Sequence, residues 1–266
     1  MKRIAAVVSV AVVLSFSSVA LSPLAFAGQA VKIDKVEHIS VDARVTLRAY
    51  SSLVEQHLAS ALTALAAVAA GSDAASGQWA RISSPLAAIR HRVKAAAAVW
   101  YVRPDGSYFT TDEGLTNNNL SDRSYFPSLM AGRDVEGTLV TSKATGKLSA
   151  IVAAPIRVGA RVVGALGASI DLVKQATIVQ RAMAFPSNMV FYAIDSKGKC
   201  ALNKDTSLIF SFPSAVGSPT LRHAVKEMLS TPRGSLSYKF KGAERKVVFM
   251  KSKTTGWTFA LGLVVR

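Results

Sequence analysis

The first part of the chain places apolar side chains at the spacing of one helix face. They recur every three or four residues from Val36 to Ala69, and the pattern ends at Gly71. This predicts one long amphipathic helix from about Lys35 to Ala70, which would span about 50 Å at the helical rise per residue. Such a helix is longer than one small module, so it packs either along two modules or along a partner helix. A shorter helix is predicted next, since Ser84-Pro85 suits a helix start.

Beyond Lys94 the pattern changes to short apolar runs separated by turns, which is typical of antiparallel strands. The predicted strands of the first set are 97–102, 107–110, 137–142, 148–157 and 161–169, and those of the second set are 189–194, 199–202, 235–241, 244–252 and 257–264. Each set also contains a predicted helix, at 172–183 and 218–230. Residues 111–133 are polar and lack a clear period.

The two sets repeat one arrangement. Tyr101 and Tyr192 lie 91 residues apart in corresponding strands, and Gly106 and Gly198 lie 92 apart in the turns that follow. We therefore predict an α+β fold, with a long N-terminal helix followed by two tandem modules, each an antiparallel sheet flanked by helices. The predicted boundaries are 28–95 for the N-terminal helices, 96–184 for the first module and 185–266 for the second.

The N-terminus has the three parts of a secretion signal. Two basic residues open the chain, an apolar run follows them, and Ala25-Phe26-Ala27 supplies a small-x-small pattern. We predict a signal peptide over residues 1–27, cleaved between Ala27 and Gly28, and hence a periplasmic or secreted protein. The alternative is an uncleaved membrane anchor.

The chain is basic, with 32 Lys and Arg against 16 Asp and Glu. Such a charge would suggest nucleic acid as a partner, but export argues against it. From Arg222 to Lys253 there are nine Lys or Arg and two Glu on segments patterned as strands. This excess is either a solvated sheet face or a surface that contacts anionic lipid headgroups or an acidic partner.

Nothing in the pattern favours an enzyme. The single cysteine, Cys200, allows no intrachain disulfide. No Ser/His/Asp order with supporting turns is present. The histidines lack metal-ligand spacing; they are His38, His57, His91 and His223. No metal site, cofactor or catalytic residue is predicted.

The chemistry of the first module concentrates in its polar segment, where Arg123 is followed by Tyr125 and Phe126. A guanidinium can hold a carboxylate through two parallel hydrogen bonds. The two rings can wall off a small apolar tail, and the Tyr125 hydroxyl adds a donor. This segment is therefore a candidate binding site with one cation in it.

Several short motifs follow one another in a recognisable order. In the first module they are Asp105-Gly106, Ser121-Asp122-Arg123-Ser124-Tyr125-Phe126, Thr145-Gly146-Lys147 and Gly164-x-x-Gly167-x-x-Ile170-Asp171. In the second they are Asp195-x-x-Gly198-Lys199, Gly234-Ser235-Leu236-Ser237-Tyr238 and Thr255-Gly256-Trp257. Their order and spacing resemble the double Cache family of extracytoplasmic sensor domains, over about residues 35–264.

This resemblance implies two PAS-like modules, of which the first, membrane-distal one holds the ligand at an Arg-x-aromatic-aromatic motif. On this basis Arg123, Tyr125 and Phe126 are predicted to contact a ligand. The same cavity is expected to include Tyr101, Tyr108 and Ser169.

The chain departs from the amino-acid-binding members that it resembles. In those members a Tyr lies five residues before the Arg, the aromatics are Trp-Tyr, and an Asp on the last strand takes the ligand ammonium. Here these positions hold Asn118, Tyr125 with Phe126, and Ser169. A buried ammonium would lack its counter-charge, so the predicted ligand is a small organic acid such as pyruvate, a short fatty acid or a dicarboxylate. Asp171 either faces the pocket or caps the following helix.

The resemblance implies a free periplasmic sensor that binds a small organic acid and reports to a separate membrane receptor or kinase. Domains of this family often pair through the long helix, which would give a homodimer. The alternative is a ligand-independent interaction protein that uses its basic second module as the contact surface. Ligand-induced stabilisation distinguishes the two, because only a binder is stabilised by ligand.

Overall fold

The computed structural model describes residues 41–265, so the predicted signal peptide, its cleavage site and residues 35–40 of the predicted long helix lie outside the described residues. The helices are α1 (Ala43–Ala69), α2 (Ser72–Ala75), α3 (Trp79–Arg92), α4 (Phe126–Met130), α5 (Leu172–Met183), α6 (Pro213–Val216) and α7 (Pro219–Ser230). The strands are β1 (Ala96–Val102), β2 (Ser107–Thr110), β3 (Gly114–Asn119), β4 (Val135–Thr141), β5 (Leu148–Val158), β6 (Arg161–Asp171), β7 (Met189–Ile194), β8 (Cys200–Asn203), β9 (Arg233–Phe240), β10 (Ala243–Lys251) and β11 (Thr258–Val265).

The long predicted helix is present as α1, which begins later than the apolar pattern suggested. The Asp42 side chain accepts a hydrogen bond from the Arg44 amide at 2.7 Å and caps the helix there. The buried residues of α1 follow the predicted spacing, and they are Leu47, Tyr50, Ser51, Val54, Leu58, Ala61, Leu65 and Ala69. Although α1 is long and apolar enough to cross a membrane, this stripe packs against both sheets, as in a core helix.

The second helix, α3, corrects the predicted start at Ser84. It begins at Trp79, and Pro85 lies inside it. Proline costs a helix one internal hydrogen bond, but tertiary packing outweighs that cost here. The Trp79 ring stacks on Phe109 at 5.2 Å, and Ile82 is among the residues that α3 buries.

The two sheets confirm the predicted repeat. The strand order is β3-β2-β1-β6-β5-β4 in the first and β8-β7-β11-β10-β9 in the second, and all neighbours are antiparallel. The second order matches the first without its edge strand β3. The chain is therefore an α+β protein with two PAS-like modules after a long helix.

The strand β3 and the short helix α4 lie in the segment for which no element was predicted. Only Thr116 of β3 is buried, and Leu115 is 57% exposed, so the strand has no apolar alternation that a sequence pattern could show. Pairing with β2 fixes its conformation instead. An edge strand of this kind depends on its neighbour rather than on its own side chains.

Equivalent positions of the two modules lie 92 residues apart, and not the 91 residues that separate Tyr101 from Tyr192. The turn bond from the Arg103 amide to the Ser107 carbonyl matches that from Asp195 to Lys199. Tyr192 therefore corresponds to Trp100. A slip of one residue reverses the sheet face, and Tyr101 does face the side opposite to Trp100.

One continuous core joins the two modules through α1. The inner faces of both sheets pack on this helix, together with α3 and α5. At the centre, the Tyr50 ring meets Phe191 and Phe259 edge-on at 5.3 Å each, with Phe185 at 6.4 Å. Nearby, the Trp257 indole, just before β11, donates a hydrogen bond to the Gly137 carbonyl of β4 at 3.0 Å and links the two modules directly.

The cluster around Tyr50 generates a stability prediction. Tyr50→Ala should lower the free energy of unfolding by about 3–5 kcal/mol, because it leaves a cavity among three phenylalanines. Tyr50→Phe should leave stability unchanged or raise it, because the buried hydroxyl finds no partner among the described residues. Urea denaturation measures both, with exposed Arg48→Ala as the control. A large loss in Tyr50→Phe would show that the hydroxyl is satisfied after all.

The contact of α1 with β4 generates a pH prediction. Burial, with Glu55 and Asp134 nearby, raises the pKa of Glu136. A raised pKa in the folded state favours folding at low pH, and this contribution is lost as pH rises through that pKa. Glu136→Gln should therefore melt higher than the wild type at pH 8, and the difference should vanish toward about pH 4, near the ordinary glutamate pKa. Exposed Glu113→Gln serves as the control, and a pH-independent difference would contradict the prediction.

Candidate functional site

The candidate site lies on the outer face of the first sheet, away from α1. Side chains alternate between the faces of a strand, so Trp100 and Val102 of β1 face outward while Val99 and Tyr101 face the helix. The polar segment between β2 and β4 folds over this outer face and contributes Leu120, Tyr125, Phe126 and Leu129 to its core. The sheet and the segment thus enclose the site between them.

A small cavity remains between the sheet and the polar segment. Its walls bound about 250 Å³, part of it open to solvent, and the free space accommodates about one water molecule. It is lined by Trp100, Tyr108, Leu120, Arg123, Tyr125, Val140, Ser142, Lys143, Ala144, Ile151 and Ser169. No carboxylate stands among these residues.

Arg123 is held at the cavity by the turn that carries it. Its amide donates to the Leu120 carbonyl at 3.0 Å, and its own carbonyl accepts from the Phe126 amide at 2.9 Å. The Nη2 atom donates to the Thr141 carbonyl at 2.9 Å and ties the segment to β4. Within residues 41–265 no carboxylate pairs with this guanidinium, so it remains available to an anion.

Lys143 also lines the cavity, but its charge is already balanced. Its Nζ atom donates to both oxygens of Asp122 at 2.7 and 2.8 Å, and to the Asn119 carbonyl at 2.6 Å. The hydrogen bond from Lys143 holds the pKa of Asp122 below its ordinary value. Asp122 itself is 65% exposed, so this pair sits at the rim of the cavity. Arg123 is therefore the cation that a ligand would meet inside.

Two phenols complete the polar lining. Burial raises the pKa of Tyr125, although Arg123 acts in the opposite direction, so the phenol keeps its proton at neutral pH. Its ring lies 6.3 Å from that of Trp100. The buried Tyr108 hydroxyl has no hydrogen-bond partner among the described residues, and the Thr116 hydroxyl bonds instead to the Asn118 carbonyl at 3.3 Å. Tyr108 can therefore donate to a ligand.

The other predicted residues lie in different places. Phe126 is buried in the apolar core beside the cavity and is not part of its lining. Tyr101 lies on the opposite sheet face, stacked on Phe109 at 5.9 Å, so its predicted place in the cavity is wrong. Asp171 caps α5, because its Oδ1 atom accepts from the Val173 and Lys174 amides at 3.0 Å each.

Sequence reasoning missed two polar residues of the lining and its largest ring. Trp100 could have been found, since strand alternation places it opposite to Tyr101. Ser142 and Lys143 follow β4 in a connection without periodicity, and only the folded sheet brings them to the polar segment. Among residues 41–265, no cluster of His, Cys, Asp or Glu could hold a metal ion.

Comparison with known proteins identifies the fold but no sequence relative. No family model matches the chain, and no curated protein matches it. The solved ligand-binding domain of an amino acid chemoreceptor from Pseudomonas aeruginosa, in complex with L-glutamine, has a TM-score of 0.65 at 15% identity, and the match covers 83% of this chain and 89% of that one. The sensory domain of a Campylobacter jejuni chemoreceptor with isoleucine bound has a TM-score of 0.60 at 15% identity, over 84% of this chain and 91% of that one.

An extracellular ligand binding receptor from Desulfohalobium retbaense is similar as well, with a TM-score of 0.59 at 12% identity over 83% of this chain. The chain spans 38% of the length of that receptor. At these identities the likeness concerns the fold, and it agrees with the long helix, the two sheets and their order. The chain therefore has the double Cache fold found in the sensory domains of chemoreceptors.

Proposed function

We propose that this protein is a sensor that binds a small organic carboxylate in its first module. The supporting observation is the charge balance of the cavity. Among residues 41–265, Arg123 lines it without a carboxylate partner, and no acidic side chain belongs to the lining. A bound carboxylate would satisfy the guanidinium through charge-assisted hydrogen bonds. The phenols of Tyr108 and Tyr125 would supply further donors.

The dimensions of the cavity favour a small ligand. The free space accommodates about one water molecule, so a ligand of more than a few atoms enters only if the polar segment moves outward. The rings of Trp100 and Tyr125 and the side chains of Val140 and Ile151 would enclose a short apolar tail. Pyruvate, a short fatty acid or a dicarboxylate matches this chemistry, and each would bind with an opening of the cavity.

An amino acid is the second candidate, because similar solved domains are complexes with isoleucine and L-glutamine. The ammonium of such a ligand would need an anion inside the cavity. Ser169 stands where the resemblance places that anion, and Asp122 is bound to Lys143 at the rim. Asp112 pairs with Arg90 outside the lining. These placements favour a carboxylate that has no ammonium group over an amino acid.

The signalling role follows from the same proposal. The predicted export would place the domain in the periplasm or outside the cell, where it would report to a membrane receptor or kinase. A homodimer through the long helix remains a prediction. Contact of the basic second module with anionic lipid also remains a prediction. A ligand-independent interaction protein would use this same basic surface.

The binding role of Arg123 is testable by substitution. Arg123→Ala should weaken the binding of an acid found by thermal-shift screening by about 1.5–3 kcal/mol, because a charge-assisted contact is lost. Calorimetry measures the change, and Arg161→Ala, which removes an exposed charge from the β5–β6 hairpin, is the matched control. Equal affinity of Arg123→Ala and wild type would refute the assignment.

The specificity should follow from the missing anion. A small carboxylate should bind at least ~10²-fold more tightly than the amino acid with the same side chain, because an unpaired buried ammonium costs several kcal/mol. Calorimetry with pyruvate and alanine compares such a pair. Ser169→Asp should shift the preference toward alanine. If alanine binds the wild type as tightly as pyruvate does, a carboxylate enters the cavity on binding and the proposed ligand class is wrong.

A further inference from the structure

The second module has a cavity at the position that corresponds to the candidate site of the first. It lies on the outer face of the second sheet, beneath the connection from β8 to α7. About 360 Å³ lies between its lining residues and includes open solvent, while the enclosed part accommodates about two water molecules. It is lined by Tyr192, Asn203, Leu208, Ser211, Pro213, Val216, Leu221, Tyr238, Phe240 and Arg245. Tyr192 corresponds to Trp100 of the first cavity by the offset of 92 residues.

Arg245 differs from the rest of the basic run between Arg222 and Lys253. It lies in β10 opposite Tyr238 of β9, and it faces the outer core together with Val247. Its guanidinium lies 4.6 Å from the centre of the Phe240 ring. Arg245 therefore faces the cavity, and the interpretation of the basic run as a solvated sheet face does not apply to it.

The charge of Arg245 is not balanced within the described residues. Its Nε atom is buried and has no hydrogen-bond partner there, and no carboxylate of residues 41–265 pairs with it. A guanidinium cannot shed its proton in a protein, and a buried donor without a partner is costly. The adjacent acid, Glu244, is exposed on the opposite face of β10, and Asp205 pairs with Lys241 at 3.2 Å; neither is part of the lining. An anion that enters the cavity would satisfy this group.

Most of the remaining lining is apolar, and the polar side chains of Asn203 and Ser211 already have hydrogen-bond partners in the chain. Leu208, Pro213, Val216 and Leu221 form the wall opposite the sheet. Val216 is 61% exposed. A ligand with an apolar body would cover this exposed surface while its anionic end met Arg245. Burial raises the pKa of Tyr238, although Tyr192 and Arg245 act in the opposite direction, so this phenol keeps its proton and can donate to the same anion.

We propose that the second module has a binding site of its own, for a monocarboxylate whose short apolar body lies partly exposed in this open cavity. The carboxylate accepts from the Arg245 Nε atom and the Tyr238 hydroxyl, and the hydrocarbon packs against Leu208, Val216 and Leu221. This site is separate from that of Arg123 and is more apolar, so the two cavities select different acids.

Hexanoate is the probe, with hexylamine as its cationic counterpart, and the protein is the chain from Gly28 onward. Amide resonances of the second module, including those of Tyr238 and Arg245, should shift with a saturable dependence on hexanoate. Arg245→Met should weaken this binding by about tenfold or more, as the loss of a charge-assisted contact requires. Hexylamine should produce no saturable shift. Lys246→Met, which removes an exposed charge from the same strand, should leave the hexanoate affinity unchanged.

Two further variants separate this site from the others. Arg123→Met should leave the shifts in the second module intact, so failure of the first site does not affect the test. Tyr238→Phe keeps the ring and should weaken hexanoate binding by several-fold, which provides a result should Arg245→Met fail to fold. The proposal is overturned if hexanoate shifts no resonance of the second module, if Arg123→Met abolishes those shifts, or if Arg245→Met and Tyr238→Phe both bind as wild type does.

Discussion

The burial of two sheets on one helix is the constraint on which the rest of this structure depends. Each sheet has an apolar inner face, and neither module has a helix of its own long enough to cover it. The 27 residues of α1 run about 40 Å at the helical rise, and their buried stripe packs on β5 and β6 in one module and on β10 and β11 in the other. The modules therefore share a single core, and neither is complete without the helix.

The direct contacts between the modules reinforce this arrangement. Trp257 of the second module donates to the carbonyl of Gly137 in the first. Gly137 has a φ of +86°, a conformation that favours glycine, and a Cβ there would lie 3.1 Å from the Thr255 side chain. A substitution at this position would disturb the first sheet and its contact with the second at once.

Apart from the edge strand β3, the two sheets have the same strand order, but the segments that fold over their outer faces differ. In the first module the cover is polar and includes β3 and α4, which leaves a small cavity with Arg123 and several hydroxyls. In the second the cover is the connection through α6, which leaves a larger and more apolar cavity with Arg245. Both place among aromatic rings a guanidinium that pairs with no carboxylate of the described part of the chain. The proposals for the two modules thus depend on the same physical imbalance, a guanidinium that lacks its anion.

The sequence by itself determined the long helix, the strands and their repetition, because apolar spacing along a chain reports directly which side of an element is buried. It also indicated Arg123, Tyr125, Tyr108 and Ser169 as members of one site. Only the tertiary structure decided which face Tyr101 occupies, since a shift of one residue in the assumed correspondence reverses every side chain of a strand.

Only the tertiary structure, likewise, formed β3 from a segment without alternation and started α3 before its proline, because pairing with β2 and packing on Phe109 outweigh local preference. The tertiary structure also decided that Lys143 pairs with Asp122 and that Arg245 finds no carboxylate among the described residues, since both depend on which distant segments meet across a cavity.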